Sequence, residues 1–170
     1  MTEKIKKLHN VINCEKIKVV NDNIPIHLIK GLYCDSTIVI DESVETIHEY
    51  NCVLAEELGH HFTTSGNILI MNTYDNARQE RRAREWAYRL LISFEDLIIA
   101  YQRRIEHHNL ADFLEVTECF LIEALEYYNN KYYKVMYKNY TIQFSPLKVS
   151  WFFEGTRDAR GDPAPRIKFL

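Results

Sequence analysis

No run in this chain approaches the roughly 18 consecutive apolar residues of a membrane span. The opening "MTEKIKKLHNVINCEKIKVV" is basic but never develops the apolar core of a signal peptide, so a protein with no membrane contact that stays in the cytoplasm is expected. An excess of positive charge is also missing. Twenty-one Lys and Arg stand against 24 Asp and Glu, a net charge of −3, which excludes the global basic surplus of a nucleic-acid binder. The four cysteines, Cys14, Cys34, Cys52 and Cys119, form no C-x-x-C pair and are expected to be free, mostly buried thiols. What remains is enough to fold: 170 residues, 46% hydrophobic, can fill the core of one domain with a small helical annex.

The patterning predicts an α+β protein. Ile5, Leu8, Val11 and Ile12 recur at helical spacing within residues 3–14. "KIKVV" and "IPIHLI" look like strand pieces separated by Asn21-Asp22-Asn23, and "KGLYCDSTIVIDES" reads as a hairpin turning at Asp35-Ser36. The N-terminal third is thus expected to be a small sheet carrying a helix. A helix over residues 43–62 follows, with Val44, Ile47, Val53, Leu54 and Leu58 facing the core and a stop at Thr63-Thr64-Ser65-Gly66. A second helix, "NARQERRAREWAYRLLI", is expected after a turn at Tyr74-Asp75-Asn76, with Ala83, Ala87, Leu90, Leu91 and Phe94 on its apolar face.

Further on, "SFEDLIIAYQRRI" opens with a capping-box pattern, Ser93 three residues before Asp96. "NLADFLEVTECFLIEALEYY" has helix-turn-helix grammar, turning at Glu115-Val116-Thr117, and "YKVMYKNYTIQF" reads as a wing or closing hairpin about Lys138-Asn139. A recognition helix at that place would carry Glu118, Glu123 and Glu126 and no arginine for a guanine edge, so direct DNA binding is not expected. The boundaries expected are residues 1–92 for the sheet and the two long helices, 93–154 for the helix-turn-helix-like and hairpin region, and 155–170 for a flexible Gly- and Pro-containing tail.

Candidate chemistry centres on "LAEELGHHFTTSG", residues 54–66. A zinc peptidase helix needs two ligands at i and i+4, and a glutamate directly after the first to act as general base. Glu56 with His60 satisfies this and leaves Glu57 in the base position, whereas Glu57 with His61 leaves Leu58 there, which moves no proton. A third ligand must come from elsewhere. Glu80 falls on the apolar face of the second helix, where a buried carboxylate needs a cation, a hydrogen-bond network or a metal. The competing readings are a solvated helix face or a simple i, i+4 Glu–His contact at 56 and 60, and a first-turn glutamate favoured by the helix dipole at 80.

"CVLAEELGHHFTTSG" followed by "QERRAREWAYRLLI", with its E-x-x-A-x-x-W-A-x-x-L-L-I run, resembles the ImmA/IrrE family of metallo-endopeptidases over roughly residues 1–145. The resemblance implies a zincin-like α/β unit followed by helices, with His60 as a zinc ligand, Glu57 as the base and Glu80 as the third ligand. It also implies cleavage of a helix-turn-helix repressor, relieving repression of a mobile element or of a stress response. Glu56 stands where the family's first histidine stands. Two carboxylates and one imidazole lower the net charge on a divalent ion from about +1 to about 0, giving a less acidic water and a site tolerant of Mn²⁺ as well as Zn²⁺. Other outcomes are that Glu56 turns outward and His61 or His48 takes its place, or that the protein is a catalytically silent regulator gripping a partner through the same groove.

Overall fold

The computed structural model describes residues 3–25, 29–63 and 73–152. Helix α1 (Glu3–Glu15) leads into strand β1 (Lys18–Asp22), and the hairpin β2 (Gly31–Cys34) and β3 (Thr37–Asp41) follows. Asp35 and Ser36 both take positive φ in the hairpin turn, the mirror-image geometry that matches the twist of the two strands. β3 is the middle strand: β2 pairs with it antiparallel and β1 pairs with it parallel. The parallel partner is the part that local patterning does not announce. Residues 26–28 of the second expected strand piece, "IPIHLI", lie outside the described residues, and Ile24, Pro25 and Ile29 form no strand.

Helix α2 (Ile47–Thr63) starts four residues later than the pattern suggested. The Thr46 hydroxyl accepts from the Glu49 amide at 3.1 Å, and the Asp41 carboxylate accepts from the Ser43 and Ile24 amides. Local side-chain acceptors thus hold residues 41–46 as a turn and begin the helix only at 47. Leu54 and Leu58 are buried as expected, each contributing roughly 2 kcal/mol of burial, while Ile47 is exposed. Helix α3 (Thr73–Leu91) begins earlier than expected and takes in the predicted turn at 74–76. Phe94 does not extend its face. Ser93 caps a new helix, α4 (Phe94–Gln102), through a full capping box with Asp96, so α3 ends at Leu91.

The short helix α5 (Leu110–Leu114) turns into α6 (Glu118–Tyr132) through Glu115 in the left-handed region, and Thr117 caps α6 by accepting from the Phe120 amide. The chain then forms the expected hairpin about Lys138-Asn139, β4 (Lys134–Tyr137) and β5 (Tyr140–Phe144), which β6 (Leu147–Trp151) extends into a three-stranded antiparallel meander. One apolar cluster runs through the molecule, from Leu8, Ile38, Leu54 and Leu58 through Leu91 and Ile92 to Phe120, Ile142 and Phe144. The cysteines are free, but only Cys52 is buried; Cys14, Cys34 and Cys119 are exposed, which corrects the expectation of mostly buried thiols. The expected flexible tail lies outside the described residues. Among the described residues, no helix is long and apolar enough to cross a membrane.

Candidate active site

Helices α2 and α3 cross in close contact at Gly59. A Cβ built there would overlap the Ala83 carbonyl, so only glycine lets the two backbones approach this far. That crossing sets the site. One turn of α3 before Ala83, Glu80 comes within 3.5 Å of His60, carboxylate Oε2 to imidazole Nε2. Its side chain is 62% exposed, so Glu80 is a rim residue and not the buried carboxylate that its place on the helical wheel implied. The partner it was expected to need is nevertheless there.

Glu56 and His60, one turn apart on α2, line a cavity of about 600 Å³ together with Glu57, Glu80 and Arg84, walled on the far side by Gly31 and Tyr33 of β2. Glu57 is buried, and the Tyr33 backbone amide hydrogen-bonds to its carboxylate. The strand passes this close because residue 31 is glycine: a Cβ there would lie 2.6 Å from Glu57 Oε1 and 2.7 Å from Val53 Cγ1. β2 is an edge strand, so its free side opens onto the same space.

The electrostatics reflect a crowd of carboxylates. Burial pushes Glu57 up to about 7; His60 opposes the rise, and the charges of Glu56 and Glu80 add to it. Burial also raises Glu56, against the pull of the Arg84 guanidinium. Burial disfavours the imidazolium of His60, but its hydrogen bond to Glu80 and the surrounding carboxylates outweigh that and raise it. Glu80 is lowered, chiefly by the same bond to His60. Three acids and one histidine share the cavity with two cations, Lys30 and Arg84.

Arg84 is the residue the sequence reading passed over. It stands four residues after Glu80 and therefore shares its face of α3, the signal that could have found it. Its guanidinium lies near Glu56 and reaches Glu123 of α6 at 3.7 Å. Gly31 is the second such residue; an isolated glycine at the start of a strand marks a close approach.

The donors fit a divalent ion in chemistry: one imidazole and two carboxylates, with a buried base beside them. Among the described residues, however, no three His, Cys, Asp or Glu side chains are drawn together tightly enough to hold an ion. The close pair is His60–Glu80, and Glu56 lines the same cavity under the influence of Arg84. Neither substitute histidine is part of the site. His61 is held between the Tyr33 hydroxyl, 2.7 Å from its Nδ1, and Glu15, 3.4 Å from its Nε2, and His48 faces Asp112 at 3.6 Å. Glu56 lines the cavity with His60.

No curated protein and no solved structure matches the chain. A family model does match, that of the M78 peptidases, described as the IrrE N-terminal-like domain, over residues 13–126. That span takes in the three-stranded sheet, the whole of the α2–α3 crossing and most of α6. An α+β unit of this shape is consistent with a small zincin-like domain, and membership implies a metallopeptidase-type function. The chain belongs to the M78 peptidase family, through its IrrE N-terminal-like domain.

Proposed function

We propose that this chain is a metal-dependent endopeptidase that cleaves a helix-turn-helix repressor and so relieves repression of a mobile element or a stress response. The observation that carries the reading is Glu57. It is a buried carboxylate, raised to about 7, that faces the same cavity as His60 and Glu80. A general base with a pKa near the working pH combines the right protonation state with useful basicity.

His60, Glu80 and Glu56 would hold the ion, zinc or manganese. When bound, it supplies Lewis-acid polarisation of the scissile carbonyl and greater acidity in the attacking water. The remaining work belongs to the chain. The Glu57 carboxylate takes a proton from that water and returns it to the leaving amine nitrogen. The Tyr33 amide fixes the orientation of Glu57, and the outer edge of β2, which pairs with no further strand among the described residues, offers its remaining backbone groups to an extended substrate that adds as a strand. His60 and Glu80 orient one another across the α2–α3 crossing.

A catalytically silent regulator on the same fold is the second reading. It is favoured by the absence, among the described residues, of three ligand side chains grouped to hold an ion, and by Arg84, a resident cation at the cavity that compensates Glu56. Cleavage separates the two. Wild-type protein loaded with Zn²⁺ or Mn²⁺ is expected to cut a co-encoded repressor, and Glu57→Gln to lose at least about two orders of magnitude in rate, the usual weight of a general base. Equal cleavage by both proteins would remove Glu57 from the chemistry; an intact repressor bound stoichiometrically by both would favour the silent reading.

A further inference from the structure

Arg84 stands on a boundary. It lines the candidate active-site cavity with Glu56, His60 and Glu80, and it also lines a larger cavity of about 920 Å³ between α3 and α6, to which α6 contributes Glu123. Glu56 belongs only to the first cavity and Glu123 only to the second, so one guanidinium has a carboxylate on either hand. Glu123 lies 3.7 Å from Arg84 Nη1 and is firmly placed: its Oε2 accepts from the Tyr88 hydroxyl at 2.7 Å and its Oε1 from the Cys119 thiol at 3.5 Å. Glu56, half-buried on α2, is attracted more strongly by Arg84 than by His60. The other cation of the cavity, Lys30, is engaged elsewhere, by the Ser43 hydroxyl at 2.9 Å and by Glu49 at 3.8 Å.

We propose that Arg84 competes with the metal ion for Glu56, and that Glu123 restrains this competition by holding the guanidinium towards α6. The proposal rests on the reading of Glu56, His60 and Glu80 as metal ligands, and within it Arg84 is a positioning residue that acts through Glu56. Glu80 faces His60 at 3.5 Å and Glu56 is compensated by Arg84, so both ligand carboxylates already have a partner. An ion that takes these carboxylates must displace the partners. A guanidinium stays charged at any working pH, so Arg84 gives up Glu56 only by moving. It has somewhere to go. Its side chain is 51% exposed, the second cavity is open beside it and Glu123 is already within ion-pair distance, so it can shift towards α6 and keep a counter-charge. Two effects oppose the ion: the attraction of Glu56 to the guanidinium, and the repulsion between that positive charge and a divalent ion in the same cavity. Both weaken as Glu123 draws Arg84 away. Helix α6 supplies no ligand, yet through this ion pair it sets how tightly the α2–α3 site is loaded.

Four proteins test this: wild type, Arg84→Gln, Glu123→Gln and the double variant, all of which keep Glu56, His60 and Glu80. Each is stripped with chelator, checked for an unchanged melting temperature, and titrated calorimetrically with Zn²⁺ and with Mn²⁺ at low ionic strength, where charge effects are least screened. Arg84→Gln is expected to bind the ion at least about tenfold more tightly than wild type, a direction that loss of structure does not produce. Glu123→Gln is expected to bind it severalfold more weakly, because the released guanidinium turns to Glu56. In the double variant that loss is expected to vanish and the affinity of Arg84→Gln to return, a non-additivity that marks Glu123 as acting through Arg84. An affinity that Arg84→Gln leaves unchanged or lowers overturns the competition and keeps the metal site. Equal weakening by Glu123→Gln with and without Arg84 also overturns the proposal, since Glu123 then acts as a background charge. Uptake by Arg84→Gln but not by wild type upholds the competition and overturns the metal reading of the wild type; uptake by none of the four overturns both.

Discussion

Two glycines set the spacing of the site more tightly than any of its charged groups. Gly31 lets β2 lie against the Glu57 carboxylate, and Gly59 lets α3 cross α2 closely enough for Glu80 to meet His60. Gly31→Ala places a methyl group 2.6 Å from Glu57 Oε1, so the carboxylate must turn away. Peptide cleavage is expected to fall at least about tenfold, since small displacements of catalytic groups are costly. Thermal unfolding should move by only a few degrees, which circular dichroism can check. Gly59→Ala meets a backbone carbonyl, which cannot rotate aside, and is expected to destabilise the protein by about 2–4 kcal/mol in urea unfolding. That Glu56, Glu57 and His60 share one cavity was legible at this scale, because spacing on one helix is a local property. The exposure of Glu80 was not. A helical wheel groups residues 80, 83 and 87 on one side, but Glu80 lies a turn before the crossing at Ala83 and clears the neighbouring helix.

Elements were legible where a side chain caps them and obscure where a distant partner defines them. Ser93 with Asp96, and Thr117 with the Phe120 amide, announce α4 and α6 within four residues of sequence. Ser93→Ala or Thr117→Ala should each cost about 1 kcal/mol by chemical denaturation, with no change in the helices' identity. The parallel pairing of β1 with β3 joins residues separated by the whole β2–β3 hairpin, so no local signal encodes it. Strand β6 was missed for a related reason. Its burial alternates poorly, and its pairing with β5 rather than its own pattern makes it a strand.

At the scale of the whole molecule, α1 is fastened to the α3–α4 junction by a buried lysine. Lys4 donates to the Leu91 carbonyl and, at 2.8 Å, to Asp96, the same residue that completes the α4 capping box. Burial alone would raise the Asp96 carboxyl, but Lys4 and Ser93 outweigh it and hold it below the usual aspartate range. A carboxyl lowered in the folded state stabilises the fold above its unfolded pKa, about 3.9, and loses that contribution as pH falls through the folded value. Acid unfolding should therefore draw on Asp96 below about pH 4. Asp96→Asn is expected to cost about 2 kcal/mol at neutral pH and to flatten the acid limb of the stability curve.

The same architecture brings β2, α2 and α3 around one cavity of about 600 Å³, and we propose that this cavity is built around a metal. Metal analysis of protein purified without chelator tests it most directly. About one Zn²⁺ or Mn²⁺ per chain is expected in the wild type and in Glu57→Gln, with loss of the ion from His60→Ala and Glu80→Gln. Protein that is metal-free in every preparation and takes up neither ion in titration, or an ion that survives in the His60→Ala, Glu80→Gln double variant, would contradict the account.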